Sequence, residues 1–247
     1  MKMPLPTRAP GGYSTVPMLI PHRWPGEARE AVLIERPNRF LAVCRLGRRT
    51  IEAHVPDRGR CLDLLLPGRR VAVVAARGPL RRTRFTALLA QSGAGTWVSL
   101  DPAGAPRLVA AALEGGLLPW GLLAARREIA VGTSRIDLLL QPGEVLCEVK
   151  SVGAARDGVA LFPDAPTLRG LRHVLLLTRL ARKGRRTAVV LCAQREDVHA
   201  VRADESIDPA FARALRRAAD AGVRLGAIRC AARLEGMEPH REIPVLL

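Results

Sequence analysis

Hydrophobic periodicity changes once along this 247-residue chain, and the change falls at Asp101-Pro102-Ala103-Gly104. Before it, short β-type runs follow one another: AVLIER, RFLAVCRL, RTIEAHV, RRVAVVAAR and RTRFTALLAQ, between residues 31 and 91. Turn chemistry separates them at Pro37-Asn38, Leu46-Gly47, Pro56-Asp57-Arg58-Gly59 and Pro67-Gly68. Several short strands at near-regular spacing predict a small barrel; a five-stranded OB-like barrel fits the size, and other small barrels share the spacing. After the break, the pattern predicts a helix from Pro106 to Glu114 and strands near Arg127–Val131, Arg135–Leu140 and Val145–Ser151. A longer helix, Ala165 to Lys183, is expected to start from an Asp164 N-cap and to stop at Gly184. The strand TAVVLCAQ, a helix from Pro209 to Ala221 and the strand VRLGAIRC complete a mixed α/β domain with its sheet between helices. The expected organisation is therefore an irregular Pro- and Gly-rich arm (1–25), a barrel (26–100) and an α/β domain (101–247).

Charge is divided unequally between these parts. The chain carries 39 basic and 23 acidic side chains, net +16, and residues 1–100 hold 17 and 6 of them, net +11. Such a concentration predicts a basic module with a polyanion partner, a solvated Arg-rich surface being the alternative. Arg48, Arg49, Arg69, Arg70, Arg81, Arg82 and Arg84 lie at strand ends or loops and are the candidate nucleic-acid contacts, Arg being suited to bidentate phosphate pairing. Aromatic residues are scarce, and Phe40, Phe85 and Trp97 are assigned to the core rather than to base stacking, so backbone-dominated binding is expected. The five Cys form no CxxC pair and the five His no zinc spacing, so no zinc site is expected. No apolar run is long enough to span a membrane, no secretory h-region opens the chain, and a soluble cytoplasmic protein is expected. P-loop, GxGxxG and GxSxG motifs are missing, which leaves a small-molecule or sugar enzyme without a supporting motif.

The stretch that carries chemistry runs from Ser134 to Lys150: two strands flanking Pro142-Gly143. A two-residue loop sets Asp137 opposite Glu148 and Arg135 opposite Lys150, with Glu148 and Lys150 on one face of their strand. Two opposed carboxylates repel unless a proton, a cation or basic neighbours intervene. A hard divalent ion, Mg²⁺ or Mn²⁺, bound by Asp137 and Glu148 fits this need and would activate water against a phosphodiester, with Lys150 stabilising the developing charge. A solvated hairpin neutralised by Arg135 and Lys150 is the plainer alternative.

The run Asp137…Glu148-Val149-Lys150 resembles the PD-(D/E)xK nuclease motif. In order along the chain, RFLAV (39–43), HVPDRG (54–59), SRIDLLL (134–140), EVKSV (148–152), FPDAPTLRG (162–170) and IDPAF (207–211) are similar to the sugar fermentation stimulation protein family. That resemblance implies an N-terminal OB-like domain, a restriction-endonuclease-like C-terminal domain, DNA binding and metal-dependent nuclease activity; the reading adopted is cleavage of DNA, with RNA as a further candidate substrate. It also implies a site role for Asp137, Glu148 and Lys150, and for Arg169 and His173 in the family's RG..H segment. Gln194 falls at the end of the next strand, where nucleases of this fold keep a polar residue. Where the family usually has an acidic residue in the first helix, this chain has Ala111, with Glu114 one turn later as the only substitute. A DNA-binding regulator linked to sugar metabolism that keeps the nuclease fold without cutting is the alternative implied by the family name.

Overall fold

The structure, a computed structural model, describes residues 22–76, 78 and 81–247. The alternating runs form β2 (Arg29–Asn38), β3 (Leu41–Leu46), β4 (Arg49–His54), β5 (Arg70–Ala75) and β6 (Phe85–Gln91), with β7 (Trp97–Ser99) added beside β6. Neighbours run β4-β3-β2-β5-β6, and a parallel pairing of Ala53 with Phe85 and His54 with Thr86 closes these five strands into an OB-like barrel. Closure leaves few free edges to pair with other chains. The inward side chains are small or branched, among them Leu33, Ala42, Cys44, Ala53, Val71 and Val73, and Leu64 and Leu65 from the β4–β5 connection are buried in the same core.

One expectation is corrected at the start of the chain. β1 (His22–Arg23), from the segment expected to be an irregular arm, pairs antiparallel with a late strand of the other domain. Trp24 behind it is buried, and its indole N–H donates to the Arg233 carbonyl at 2.9 Å. Burying one indole offsets the ordering of a short segment whose proline content reads as irregular. The rest of that arm, residues 1–21, lies outside the described residues.

Beyond the barrel, a 3-10 turn capped by Asp101 leads into α1 (Ala105–Glu114), followed by β8 (Leu123–Val131), β9 (Ser134–Gln141) and β10 (Val145–Val152). Then come β11 (Ala155–Arg156), β12 (Val159–Phe162), α2 (Leu168–Arg182), β13 (Thr187–Ala193), β14 (Ala200–Ala203), α3 (Pro209–Asp220), β15 (Arg224–Arg233), β16 (Gly236–Glu242) and β17 (Val245–Leu246). A seven-stranded sheet has the order β1-β16-β15-β13-β10-β9-β8, and a smaller one the order β11-β12-β14-β17. α1 packs on the face bearing Cys147, Val149 and Val190; α2 and α3 cover the face bearing Leu146, Val189 and Leu191. β10 is thus a central strand apolar on both faces, yet it carries Glu148 and Lys150, each less than a tenth exposed. Burial of two charges there requires close pairing.

Candidate active site and basic groove

β9 and β10 keep the expected register at first: Leu140 faces Val145, Leu139 faces Leu146 and Leu138 faces Cys147. The ladder then stops, one pair short of the expected Asp137–Glu148 pairing. Ile136 packs in the core under α2 whereas Leu138 packs in the core under α1, so the side-chain alternation breaks at Asp137. Opposite it on β8, Glu128 adopts a φ of 56°, a left-handed conformation that marks the same distortion. The two strands splay here. Asp137 turns its carboxylate onto the next backbone, and Val149 N–H donates to its Oδ2 at 2.7 Å. The expected pairing of Arg135 with Lys150 is corrected likewise, since Arg135 is exposed and faces Glu128 at 3.6 Å.

Glu148 is held from two sides at one oxygen. Lys150 Nζ donates to its Oε1 at 2.5 Å, and His173 Nδ1 lies 2.6 Å from the same atom. With an ionised carboxylate as partner, Nδ1 is the protonated ring nitrogen. The second oxygen, Oε2, is buried and has no hydrogen-bond partner. Burial pushes the Glu148 carboxyl up, but the His173 hydrogen bond and the Lys150 ammonium outweigh it and hold the group below the ordinary carboxylate range. Asp137 goes the other way: burial, then the Glu148 charge, push it up to about 6 against the Val149 hydrogen bond and Lys150. Gln194, fully buried just past β13, donates through Nε2 to Ser151 Oγ at 3.0 Å and leaves its Oε1 without a partner.

These atoms fit a hard cation. An ionised carboxylate with one buried, unpartnered oxygen stands beside a second carboxylate, and hard divalent ions take one or two carboxylates plus water or phosphate. Among the described residues, no three His, Cys, Asp or Glu side chains gather as an all-protein cage. Glu114, the expected substitute for a helix carboxylate, is exposed at the end of α1, on the sheet face opposite α2 and His173. It takes no part in this site. Arg169 is exposed one helical turn before His173.

Lys150 also lines a cleft of about 360 Å³ whose far wall is the barrel loop Pro56–Gly59 and whose rim is the segment 161–167. Asp164, expected to cap α2, instead crosses to the barrel, where its Oδ2 accepts Cys61 N–H at 3.0 Å. The cap is Thr167, whose Oγ1 accepts Gly170 N–H at 3.1 Å. Pro166 keeps the chain extended up to that point. Gly59 makes the crossing possible, because a Cβ there would sit 2.3 Å from Asp164. Arg195, which no motif flagged, is buried and forks onto Asp197 at 2.6 and 2.8 Å. It also donates to Gly153 carbonyl at 2.8 Å and lies 3.5 Å from Asp63 of the barrel. The contacts of Asp164 with Cys61 and of Arg195 with Gly153 and Asp63 join residues distant in sequence, which no local signature announces.

On the barrel, Arg48, Arg49, Arg81, Arg82 and Arg84 line one groove of about 970 Å³ together with Arg29. Arg69 and Arg70 do not line it: Arg70 pairs with Glu30, and Arg69 reaches Ser92 carbonyl at 3.4 Å. Phe85 and Trp97 are half-buried against the cores as expected, but Phe40 is not a core residue: 44% of it is exposed. Its place in the β2–β3 turn leaves the ring outside the barrel.

Known protein families share this two-part architecture. Residues 34–100 match the family model described as the SfsA N-terminal OB domain, and residues 104–236 match the sugar fermentation stimulation protein RE domain. A sugar fermentation stimulation protein homolog of Chloroflexus aurantiacus is 41% identical over 239 residues, covering 95% of this chain and 92% of that one. The homolog of Alkalilimnicola ehrlichii is 44% identical over 225 residues, covering 86% and 94%. Among solved structures, that of Pyrococcus furiosus SfsA in complex with Ca²⁺ superposes with a TM-score of 0.82 at 27% identity, covering 93% of this chain and all of that one. With relatives this similar over nearly its whole length, the chain belongs to the sugar fermentation stimulation protein family.

Proposed function

We propose that this protein binds DNA along the barrel groove and cleaves it by divalent-metal-dependent phosphodiester hydrolysis at Asp137, Glu148 and Lys150. The observation that carries the reading is the Glu148 carboxylate: one oxygen is gripped by His173 and Lys150, the other is buried and unpartnered, and the group is near enough to Asp137 for their charges to interact. Asp137 and Glu148 would hold Mg²⁺ or Mn²⁺, and the Ca²⁺ complex of the Pyrococcus furiosus relative supports an oxygen-seeking ion of that class. When bound, such an ion lowers the pKa of a water and neutralises a phosphate oxygen. The chain's own residues supply the rest. His173 fixes the rotamer of Glu148, and Asp137 is fixed by the Val149 amide. Lys150, at the wall of the cleft, presents its ammonium to charge building up on the scissile phosphate; loss of one such donor typically costs 10²–10³ in rate.

The test is incubation of plasmid, single-stranded DNA and RNA with the purified protein and Mg²⁺ or Mn²⁺, alongside Glu148→Ala. Cleavage by the wild type that the variant lacks is expected; no cut, or equal cutting by both, sinks the assignment. The position of Glu114 favours a second reading, a DNA-binding regulator that keeps the fold without cutting, because among the described residues no helix carboxylate joins the site. Salt-sensitive binding with no cleavage under any divalent ion would select it.

A further inference from the structure

We propose that the barrel selects single-stranded nucleic acid, by stacking an unpaired base on Phe40. The proposal rests on the nucleic-acid-binding reading above and adds the substrate form. Phe40 is held rigidly at its backbone, with Asn38 Oδ1 accepting its N–H at 2.9 Å and its carbonyl accepting Val55 N–H at 2.9 Å. Its ring nevertheless stands in solvent, with the Arg39 guanidinium 5.2 Å from the ring centre. A fixed, exposed aromatic flanked by a cation is the arrangement that base stacking uses.

The surroundings name the ligand. Phe40 lines a hollow of about 560 Å³ with His54, Arg81 and Arg82, and this hollow shares Glu52, Arg81, Arg82 and Thr83 with the larger arginine groove. Glu52 is the one carboxylate lining either space, against Arg29, Arg48, Arg49, Arg81, Arg82 and Arg84. So strong an excess of guanidinium beside planar rings fits an anionic backbone carrying flat bases rather than an acidic peptide.

The path also leads to the cleft. β4 runs from Arg49 in the groove to His54 in the hollow, and Pro56, two residues on, lines the cleft with Lys150. At about 3.3 Å per residue that track is ~20–25 Å long. It suits a strand of several nucleotides, within the ~4–16 that one OB fold covers. In a duplex each base face is already covered by its neighbours, so Phe40 would have nothing to stack on.

The experiment is fluorescence anisotropy in EDTA with a labelled oligothymidylate of about 20 nucleotides and a duplex of equal length. The wild type is expected to bind the single strand about ten-fold more tightly, and Phe40→Ala to lose about ten-fold on the single strand alone. Phe40→Trp should restore the affinity and add a tryptophan emission quenched by the oligonucleotide. Because the ring is exposed, Phe40→Ala is expected to unfold at the wild-type temperature. Arg49→Ala/Arg82→Ala should weaken both ligands. If it does so while Phe40→Ala changes neither, or changes both equally, the nucleic-acid reading stands and this inference falls. If the wild type binds neither ligand, both fall.

Discussion

At Asp137 the protein keeps a carboxyl in surroundings that favour its proton, and this sets a pH signature. Its value of about 6 lies above the ~3.9 of an unfolded Asp. The cation-free native state therefore holds more protons than the unfolded chain between about pH 4 and 6. The stability this group contributes is complete below the unfolded value and is lost as pH rises through about 6. Cation binding needs the ionised form, so it should weaken as pH falls through the same window. Thermal unfolding with and without Mg²⁺ is expected to show a stabilising shift at pH 7.5 that vanishes by pH 5. Asp137→Asn should remove the shift at both and raise the cation-free midpoint at pH 7.5. A shift of equal size at pH 5 would contradict the site. At this scale the sequence was informative about residue types: Asp137, Glu148 and Lys150 stand out because charges interrupt an apolar strand pair. It could not show that Glu148 uses His173, 25 positions on; only the resemblance pointed to that histidine. Asp164 was unreadable because its partner Cys61 lies 103 positions away in the barrel, and Arg195 because its contacts with Gly153 and Asp63 are distant in sequence.

Among the elements, those with clear stops or full apolar stripes followed from periodicity, whereas β16, the first half of β8 and the start of α2 did not. α1, α3, β9 and β10 lie close to their expected bounds, since each carries a helix cap, a turn or a full apolar stripe. β11, β12, β14 and β17 have two to four residues, too few for an alternating pattern to show. β16 contains Pro239, which ordinarily argues against a strand; here it pairs with Cys230 where the β15–β16 register slips, so no regular ladder bond is required of it. The splay of β9 from β10 was likewise invisible, because a two-residue loop predicts continuous pairing and only packing on two separate cores interrupts it. The loop pair around Gly59 and Asp164 gives the prediction at this scale. Gly59→Ala forces a methyl into the Asp164 carboxylate and is expected to destabilise by about 1–3 kcal/mol, the cost typical of overpacking. Adding Asp164→Ala should return part of that loss. Additive effects of the two substitutions in denaturant melts would show that the contact carries no energy.

Taken whole, the molecule distributes its charge less simply than a basic half and a balanced half. Residues 165–186, around α2, contain seven basic side chains and no acidic one, so the second domain has a concentrated basic surface of its own. Exposed Arg169, Arg172 and Arg179 lie on that helix. Contact with six or so phosphates predicts that log affinity falls against log salt with a slope of roughly −5 on duplex and −4 on a single strand. Each groove arginine changed to Ala should flatten it by about one; a flat wild-type response would remove nucleic acid as the partner. The two parts also cannot be cut apart cleanly. β1 precedes the barrel in sequence but belongs to the sheet of the second domain, and Ser99, Asp63 and Cys61 of the first part bond Gln194, Arg195 and Asp164 of the second. Removing the first hundred residues would therefore strip a strand and these clamps along with the barrel. The cleft at Lys150 has one wall from each part, which bears on how such chains can be recombined. A hybrid joining the barrel of one relative to the second half of another inherits the two walls from different parents. Unless the Pro56–Gly59 loop and the Asp164 segment come from the same one, it should fold as two sound halves around a misfitted seam.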